Sequence, residues 1–339
     1  MKKIALVTGI SGQDGAYLAE LLVRKNYVVI GADRRSSRDD KWRLRELGID
    51  NKIKIEYFDL AEITQILRLF EKYKFDEVYN LAAQSFVGSS FSNPLTTSDI
   101  TGIGVLRLLE AIRNSKKKPR FYQASSSEMF GKVLKTPQDI NTPFNPVSPY
   151  AVSKLYAHFM TRNYREAYNL FAVSGILFNH ESPLRGEEFI TRKVTIGLSK
   201  IKAGLLDCLE VGNIDAKRDW GYAGDYVKAM WLSLQGRSPK DFILATGKTH
   251  SVRDFINESL KYFEIKAYWH GKNENEKLKL KKNNKTIIRI NKKFYRPNEV
   301  DLLLGNPKQT FKNLKWKPKV NFKELVKIMS LSDLKKYNK

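Results

Sequence analysis

The chain has 339 residues, 42% hydrophobic and 12% aromatic, enough for one large or two moderate soluble domains with ample core. No apolar run reaches membrane-span length. The lone Cys208 excludes an internal disulfide framework and fits a reducing cytoplasm, and four scattered histidines without ligand spacing argue against a metal site. The net charge of +24 is spread along the chain, so it points to solvated lysine faces and a polyanionic ligand such as a nucleotide diphosphate, not to a nucleic-acid surface.

In chain order, the first apolar run, Ile4–Thr8, is too short for the core of a signal peptide and reads as a buried strand. It leads into Gly9, Gly12 and Gly15 and then a helical pattern over Ala16–Lys25. Strand, glycine turn, helix is the order that dinucleotide binding requires. Gly9 permits the tight turn, Gly12 lets the backbone approach a pyrophosphate, and Gly15 allows close helix packing. The helix N-terminus then offers amides and a positive dipole end to the phosphates. The second strand, Val28–Ala32, is followed by Asp33, Arg34, Arg35 and Ser36. A carboxylate there grips a ribose 2′-hydroxyl and favours NAD, whereas arginines and serine grip a 2′-phosphate and favour NADP. Two guanidiniums beside one carboxylate leave net positive charge. The expectation is therefore NADP, held by Arg34, Arg35 and Ser36, with NAD through Asp33 as the alternative.

A third strand, Ile53–Phe58, brings Asp59 and Leu60 to the border of the adenine; a helix over Ile63–Tyr73 follows. The fourth strand, Glu77–Leu81, runs on through Leu81, Ala82, Ala83, Gln84 and Ser85 beside the cofactor. After a helix over Ile103–Asn114 comes a fifth strand, Arg120–Ala124, then Ser126 and Glu128 at the strand end where open α/β sheets place ligands. Ser148-Pro149 is a helix start, a hydroxyl N-cap before proline. In the helix over Tyr150–Tyr168, Tyr150 and Lys154 share one face. An ammonium beside a phenol, with oxidised nicotinamide, lowers the tyrosine pKa, so that a phenolate takes the proton of a sugar hydroxyl as hydride leaves. Glu128 is either a capping or salt-bridging carboxylate or the base that a dehydration needs. In the second case it removes the C5 proton of a 4-keto sugar and helps the C6 hydroxyl leave as water. A sixth strand, Phe171–Ile176, ends the regular alternation. The pattern implies a doubly wound, Rossmann-type α/β fold over residues 1–180, with some later segments returning to it. Residues 181–335 read as a smaller mixed α/β lobe for a nucleotide sugar, with Gly271–Lys293 as a polar surface excursion.

With these residues assembled, the chain resembles the extended short-chain dehydrogenase/reductases, and within them the GDP-mannose 4,6-dehydratase family. The resemblance runs from Ile4 to about residue 330. It rests on Thr8 to Gly15, Asn80 to Ser85, Phe178 to Pro183, Thr191 to Lys193, Asp215 to Gly221 and Arg296 to Asp301. It implies an NADP-dependent lyase that converts GDP-mannose to GDP-4-dehydro-6-deoxy-mannose, with Ser126, Glu128, Tyr150 and Lys154 as the catalytic group. It also implies Gln13, Asp14, His180 and Arg185 near NADP. Asn179, Lys193, Arg218, Arg296 and Glu299 would hold the GDP moiety, with Ser85, Ser126 and Glu128 at the sugar. A homo-oligomer, dimer or tetramer, with Arg34 to Ser37 near a subunit contact, belongs to the same expectation. The family usually has Thr at the place of Ser126 and Tyr at the place of Phe130. The alternatives are the same chemistry on GDP-manno-heptose, a GDP-sugar epimerase or reductase, which has no use for Glu128 as a base, and a non-catalytic cofactor-sensing protein.

Overall fold

In the computed structural model, which describes residues 1–37, 39–295 and 298–337, seven parallel strands form the central sheet. They are β1 (Ile4–Thr8), β2 (Val28–Asp33), β3 (Lys54–Tyr57), β4 (Glu77–Asn80), β5 (Arg120–Ser126), β6 (Ala172–Leu177) and β7 (Phe242–Leu244). Their spatial order is β7-β6-β5-β4-β1-β2-β3. The chain reverses direction across the sheet next to β1, where Ala5 lies in register with both Val29 and Glu77. The longer helices are α1 (Gln13–Arg24), α2 (Ile63–Lys72), α3 (Gly104–Asn114), α4 (Pro149–Tyr168), α5 (Ile190–Lys202), α6 (Ala223–Ser233), α7 (Val252–Tyr262) and α8 (Phe322–Tyr337).

Alternation along the strands decides the layering. Ala5, Val7, Tyr79, Tyr122 and Val173 point to one face and pack with Leu18 and Leu22 of α1 and Tyr226 and Met230 of α6. Their neighbours Leu6, Val78, Phe121 and Ala172 point to the other, against Ile66 of α2, Leu108 and Ile112 of α3 and Ala157 of α4. Because helices cover both faces, strand residues of both faces are buried, as in the wholly buried β4 and β6. Each fully buried large side chain, such as Leu6 or Phe121, contributes about 1.5–3 kcal/mol. This is the doubly wound fold that the alternation implies.

The C-terminal half does not stand apart from the sheet: β7 joins its edge beside β6, and α6 covers one face. The remainder forms a lobe built on a four-stranded mixed sheet of Ala267–His270, Lys277–Leu280, Thr286–Ile290 and Leu209–Val211. Its core joins Val194 of α5, Phe255 of α7, Ile288 and Met329 of α8. A buried ion pair, Arg192 to Asp333 at 2.7 Å, pins α8 to α5, and Thr195 donates to the other carboxylate oxygen at 2.7 Å. The reading of Gly271–Lys293 as a polar excursion is thereby corrected. Two strands of the lobe lie in it, and Leu278, Ile287 and Ile288 are core residues. Exposed lysines at 277, 281 and 282 mask that pattern in the sequence.

Candidate active site

The glycine turn is shaped by contacts that leave no room for side chains. Gly9 sits at φ +65°, and a Cβ there would lie 2.9 Å from the backbone of Ala82. A Cβ on Gly15 would lie 2.3 Å from the Gly9 carbonyl oxygen, and Gly12 donates to that carbonyl at 3.0 Å. The turn therefore brings the start of α1 hard against the end of β1. The first-turn amides of α1 have no intrahelical acceptor and face outward as donors for an anion. These features fit a dinucleotide pyrophosphate. Leu81 and Ala82 line the next strand end, where both amides donate to Thr8 Oγ1 at 3.2 Å. Ala83 is half-buried, Gln84 donates its amide to Thr101 at 3.1 Å, and Ser85 is exposed.

The side chains of Gln13 and Asp14 turn toward the C-terminal half. Gln13 Nε2 donates to the His180 carbonyl at 3.1 Å and Gln13 Oε1 accepts from Ser182 at 2.7 Å. His180 is placed by a short strand, His180–Glu181, paired with Gly221–Tyr222. Its Nε2 lies 2.7 Å from Asp14 Oδ2, its Nδ1 lies 2.7 Å from the Phe178 carbonyl, and its ring stacks on Tyr226. Both ring nitrogens face acceptors, so the imidazolium donates to both. Burial pushes His180 down, but the charge and hydrogen bond of Asp14 outweigh it and hold the ring above its ordinary pKa. Asp14 is held below its ordinary value because His180 outweighs the opposite effect of burial.

At the far end of β2, Arg34, Arg35 and Ser36 are exposed. Asp33 is engaged: its Oδ2 accepts from the Ser11 amide at 3.2 Å and from the Ser11 hydroxyl, and its Oδ1 accepts from the Arg34 amide at 2.9 Å. Asp59 Oδ1 accepts from the Ala61 amide at 2.9 Å, and Leu60 is buried against Gly104.

The reacting group assembles on β5 and α4. β5 runs further than the expected Arg120–Ala124 and ends on Ser126, whose hydroxyl caps a 3-10 turn, Ser127–Phe130, by accepting from the Glu128 amide at 3.2 Å. Ser148 caps α4 by accepting from the Ala151 amide at 3.1 Å, with Pro149 at the first helical position. That start buries Tyr150 beside Ser126. Burial pushes the phenol up to about 12; the Ser126 hydroxyl and Arg185 draw it down, while the Glu128 carboxylate acts with burial. Lys154 lies on the same face, and its Nζ donates to the Ala124 carbonyl at 2.7 Å. Burial draws this amine down to about 8. In the protein alone the Lys154 ammonium lies 5.8 Å from the phenol ring centroid while it donates to the Ala124 carbonyl, and burial holds the phenol up. Arg185 pairs with Glu181 at 3.2 Å and lies over the Phe189 ring. Phe130 is fully buried and packs on Phe144 at 5.0 Å between ring centroids, a packing role.

A second group lies in the lobe. Lys193 is half-buried with its Nζ 3.5 Å from the Phe294 ring centroid, and burial and Lys293 draw it below its ordinary pKa. Arg218 pairs with Glu299 at 3.1 Å. Asn298 donates to the Val147 carbonyl at 3.5 Å, which ties this loop to the start of α4. The Asn179 carbonyl accepts from the Gly221 amide at 2.9 Å. Arg296 lies outside the described residues.

Sequence reasoning missed two residues of this region. Arg43 bridges the Ser11 carbonyl at 3.0 Å and the Leu184 carbonyl at 2.7 Å. Bonds to backbone carbonyls leave no trace in residue spacing. Asp219, fully buried, accepts from the amides of Thr246 at 2.9 Å and Gly247 at 2.8 Å and anchors the strand that carries Arg218. Its place beside Arg218 was the available signal. Among the described residues no group of His, Cys, Asp and Glu could hold a metal ion, and no helix is long and apolar enough to cross a membrane.

The Rossmann-type sheet with its glycine turn, and a Ser–Tyr–Lys group at the strand ends, define a short-chain dehydrogenase/reductase of the extended type. UDP-glucose 4-epimerase from Thermus thermophilus, solved with NAD, superposes with a TM-score of 0.80 at 23% identity, covering 97% of this chain and 98% of that one. RMD from Pseudomonas aeruginosa, solved with NADPH, superposes at 0.77 with 21% identity, covering 99% and 100%. The family model for GDP-mannose 4,6 dehydratase matches residues 6–329. GDP-mannose 4,6 dehydratase of Cricetulus griseus is 48% identical over 98% of this chain and 92% of its own length. The Vibrio cholerae (O1 El Tor) enzyme is 47% identical over 98% and 94%. The chain belongs to the GDP-mannose 4,6-dehydratase family and is a lyase.

Proposed function

We propose that this chain catalyses the NADP-dependent 4,6-dehydration of GDP-mannose to GDP-4-dehydro-6-deoxy-mannose. The observation that carries the reading is the burial of Glu128 beside Ser126 and Tyr150 at the end of β5, where its charge acts on the phenol. A bound nicotinamide dinucleotide supplies the hydride acceptor, its own positive charge beside the phenol, and later the hydride donor. Tyr150, beside Ser126, takes the C4 hydroxyl proton. Lys154, anchored on the Ala124 carbonyl, contributes positive charge to the same pocket. In the 4-keto sugar the C5 proton is acidic. Glu128 takes it and delivers a proton to the C6 hydroxyl, which leaves as water. A proton returns to C5 as C6 gains hydride, so redox state is conserved overall.

Lys193, Arg218 and Glu299 hold the GDP moiety in this reading, cations on the diphosphate and a carboxylate on guanine donors. The exposed Arg34 and Arg35 support NADP over NAD. A homo-oligomer belongs to the same proposal, supported by an exposed apolar stripe of Val152, Tyr156 and Phe159 along α4. A cytoplasmic location is supported by the free thiol of Cys208. The test is mass spectrometry of GDP-mannose and GDP-manno-heptose incubated separately with the protein and trace NADP. A product one water lighter from GDP-mannose, without stoichiometric cofactor consumption, is expected. Reaction of the heptose alone moves the substrate, and no water loss from either removes the dehydratase reading.

A further inference from the structure

Asp33 stands at the strand end where a carboxylate grips a ribose, yet Arg34 and Arg35 beside it suit a 2′-phosphate. The hydrogen bonds around Asp33 resolve the conflict. A carboxylate offers about four lone-pair positions. Ser11 takes two on Oδ2, through its amide at 3.2 Å and its hydroxyl, and the Arg34 amide takes one on Oδ1 at 2.9 Å. Ser11 is itself held in place: its carbonyl accepts from Arg43 Nη1 at 3.0 Å, while Arg43 Nε donates to the Leu184 carbonyl at 2.7 Å. A two-point grip on ribose hydroxyls needs acceptor positions that Ser11 already fills. The negative charge is drawn back onto the glycine turn, and the exposed guanidiniums of Arg34 and Arg35 remain available to a phosphate.

We propose that Ser11 is the residue that sets cofactor preference, by drawing the Asp33 carboxylate onto the glycine turn and away from the ribose. The inference rests on the dinucleotide reading of that turn. Removing the hydroxyl releases one position of the carboxylate, strengthens its hold on a 2′-hydroxyl and brings its charge against a 2′-phosphate. Arg43 acts through Ser11 as a positioning residue.

Isothermal titration calorimetry of NADP and NAD with the purified full chain tests this without reference to turnover. Ser11→Ala should move the ratio of the two affinities roughly tenfold toward NAD, the size of one hydrogen bond to a charged group. Ser11→Thr, which keeps the hydroxyl, should retain the wild-type ratio. In an Asp33→Asn background the effect of Ser11→Ala on the ratio should disappear, which isolates the pair. Equal changes in both affinities on Ser11→Ala overturn the proposal, as does a ratio change that persists without the Asp33 carboxylate. A wild-type protein that prefers NAD overturns the NADP reading instead, and the shift on Ser11→Ala still decides the role of Ser11.

Discussion

His180 Nε2 and Asp14 Oδ2 meet at 2.7 Å across 166 positions of sequence, and that pair ties the glycine turn to the first strand beyond the central sheet. Gln13 and Ser182 reinforce it at 2.7 Å. Replacing Asp14 by Asn removes the charge that keeps the buried ring protonated, so burial drives the proton off and the lost pair costs about 1–3 kcal/mol. Denaturant unfolding of Asp14→Asn beside wild type measures it.

The same pair predicts a pH dependence. The folded pKa of His180 is raised, so its contribution is complete below the ordinary histidine value of about 6.5. It is lost as pH rises through the higher folded value. Asp14 is lowered, so its contribution is present above the ordinary carboxylate value and is lost as pH falls through its folded pKa. Stability should therefore decline from about pH 6.5 upward through this pair. In His180→Asn that part of the decline should vanish, as melting temperatures measured at a series of pH values would report.

Gly15→Ala and Gly12→Ala separate the closing of the cofactor turn from its binding. Its Cβ would meet the Gly9 carbonyl oxygen at 2.3 Å and the Ile10 backbone at 2.7 Å, none of which can yield without opening the turn. On Gly12 the nearest atom, the Gly9 oxygen, is at 3.1 Å, a milder crowding. Melting temperature should fall far more in Gly15→Ala than in Gly12→Ala, whose Cβ would stand where the backbone approaches the pyrophosphate and would lower calorimetric affinity for NADP in a protein that stays folded. Equal losses of stability in both would show that the contact of Gly15 with the Gly9 carbonyl does not hold the turn closed.

The central strands were legible because helices cover both faces, so that β1 reads as a nearly continuous apolar run. Ser148-Pro149 and the Tyr150/Lys154 spacing were legible because capping and helical periodicity are local rules. The strands Lys277–Leu280 and Thr286–Ile290 were hidden by the exposed lysines 277, 281, 282 and 285 in and between them. The state of Tyr150 was hidden too, since spacing shows that Lys154 shares its face but not that Nζ bonds to the Ala124 carbonyl. Arg43 is a tertiary contact to backbone and has no sequence signature at all.

Lys154 carries its charge below about pH 8, where burial places its pKa, and loses it above. The turnover rate should fall on the alkaline side near that pH if the ammonium supports proton transfer. Lys154→Met should be slower by about 10²–10⁴-fold and should lack that alkaline limb. A wild-type profile flat through pH 8 would show that bound ligands hold the ammonium charged.

Glu128→Gln distinguishes dehydration from simple hydride exchange at C4. The amide keeps the shape of the side chain and the bond from its backbone to Ser126, so Ser126, Tyr150 and Lys154 stay assembled. Oxidation at C4 draws on Tyr150 and should proceed. Removal of the C5 proton draws on Glu128 and should slow by about 10²–10⁴-fold, the range for loss of a general base. Two readouts follow from the same incubation in deuterated water. With NADP supplied in excess as the oxidant, the variant should accumulate the 4-keto sugar that still carries its C6 hydroxyl, together with an equal amount of NADPH, in place of the dehydrated product, and the recovered sugar should carry little deuterium at C5. Water loss within a few-fold of wild type would leave the Glu128 carboxylate without a part in the chemistry and move the base elsewhere. Retained C5 exchange with lost dehydration would instead confine Glu128 to protonating the leaving hydroxyl, because exchange needs only a base and elimination needs an acid as well.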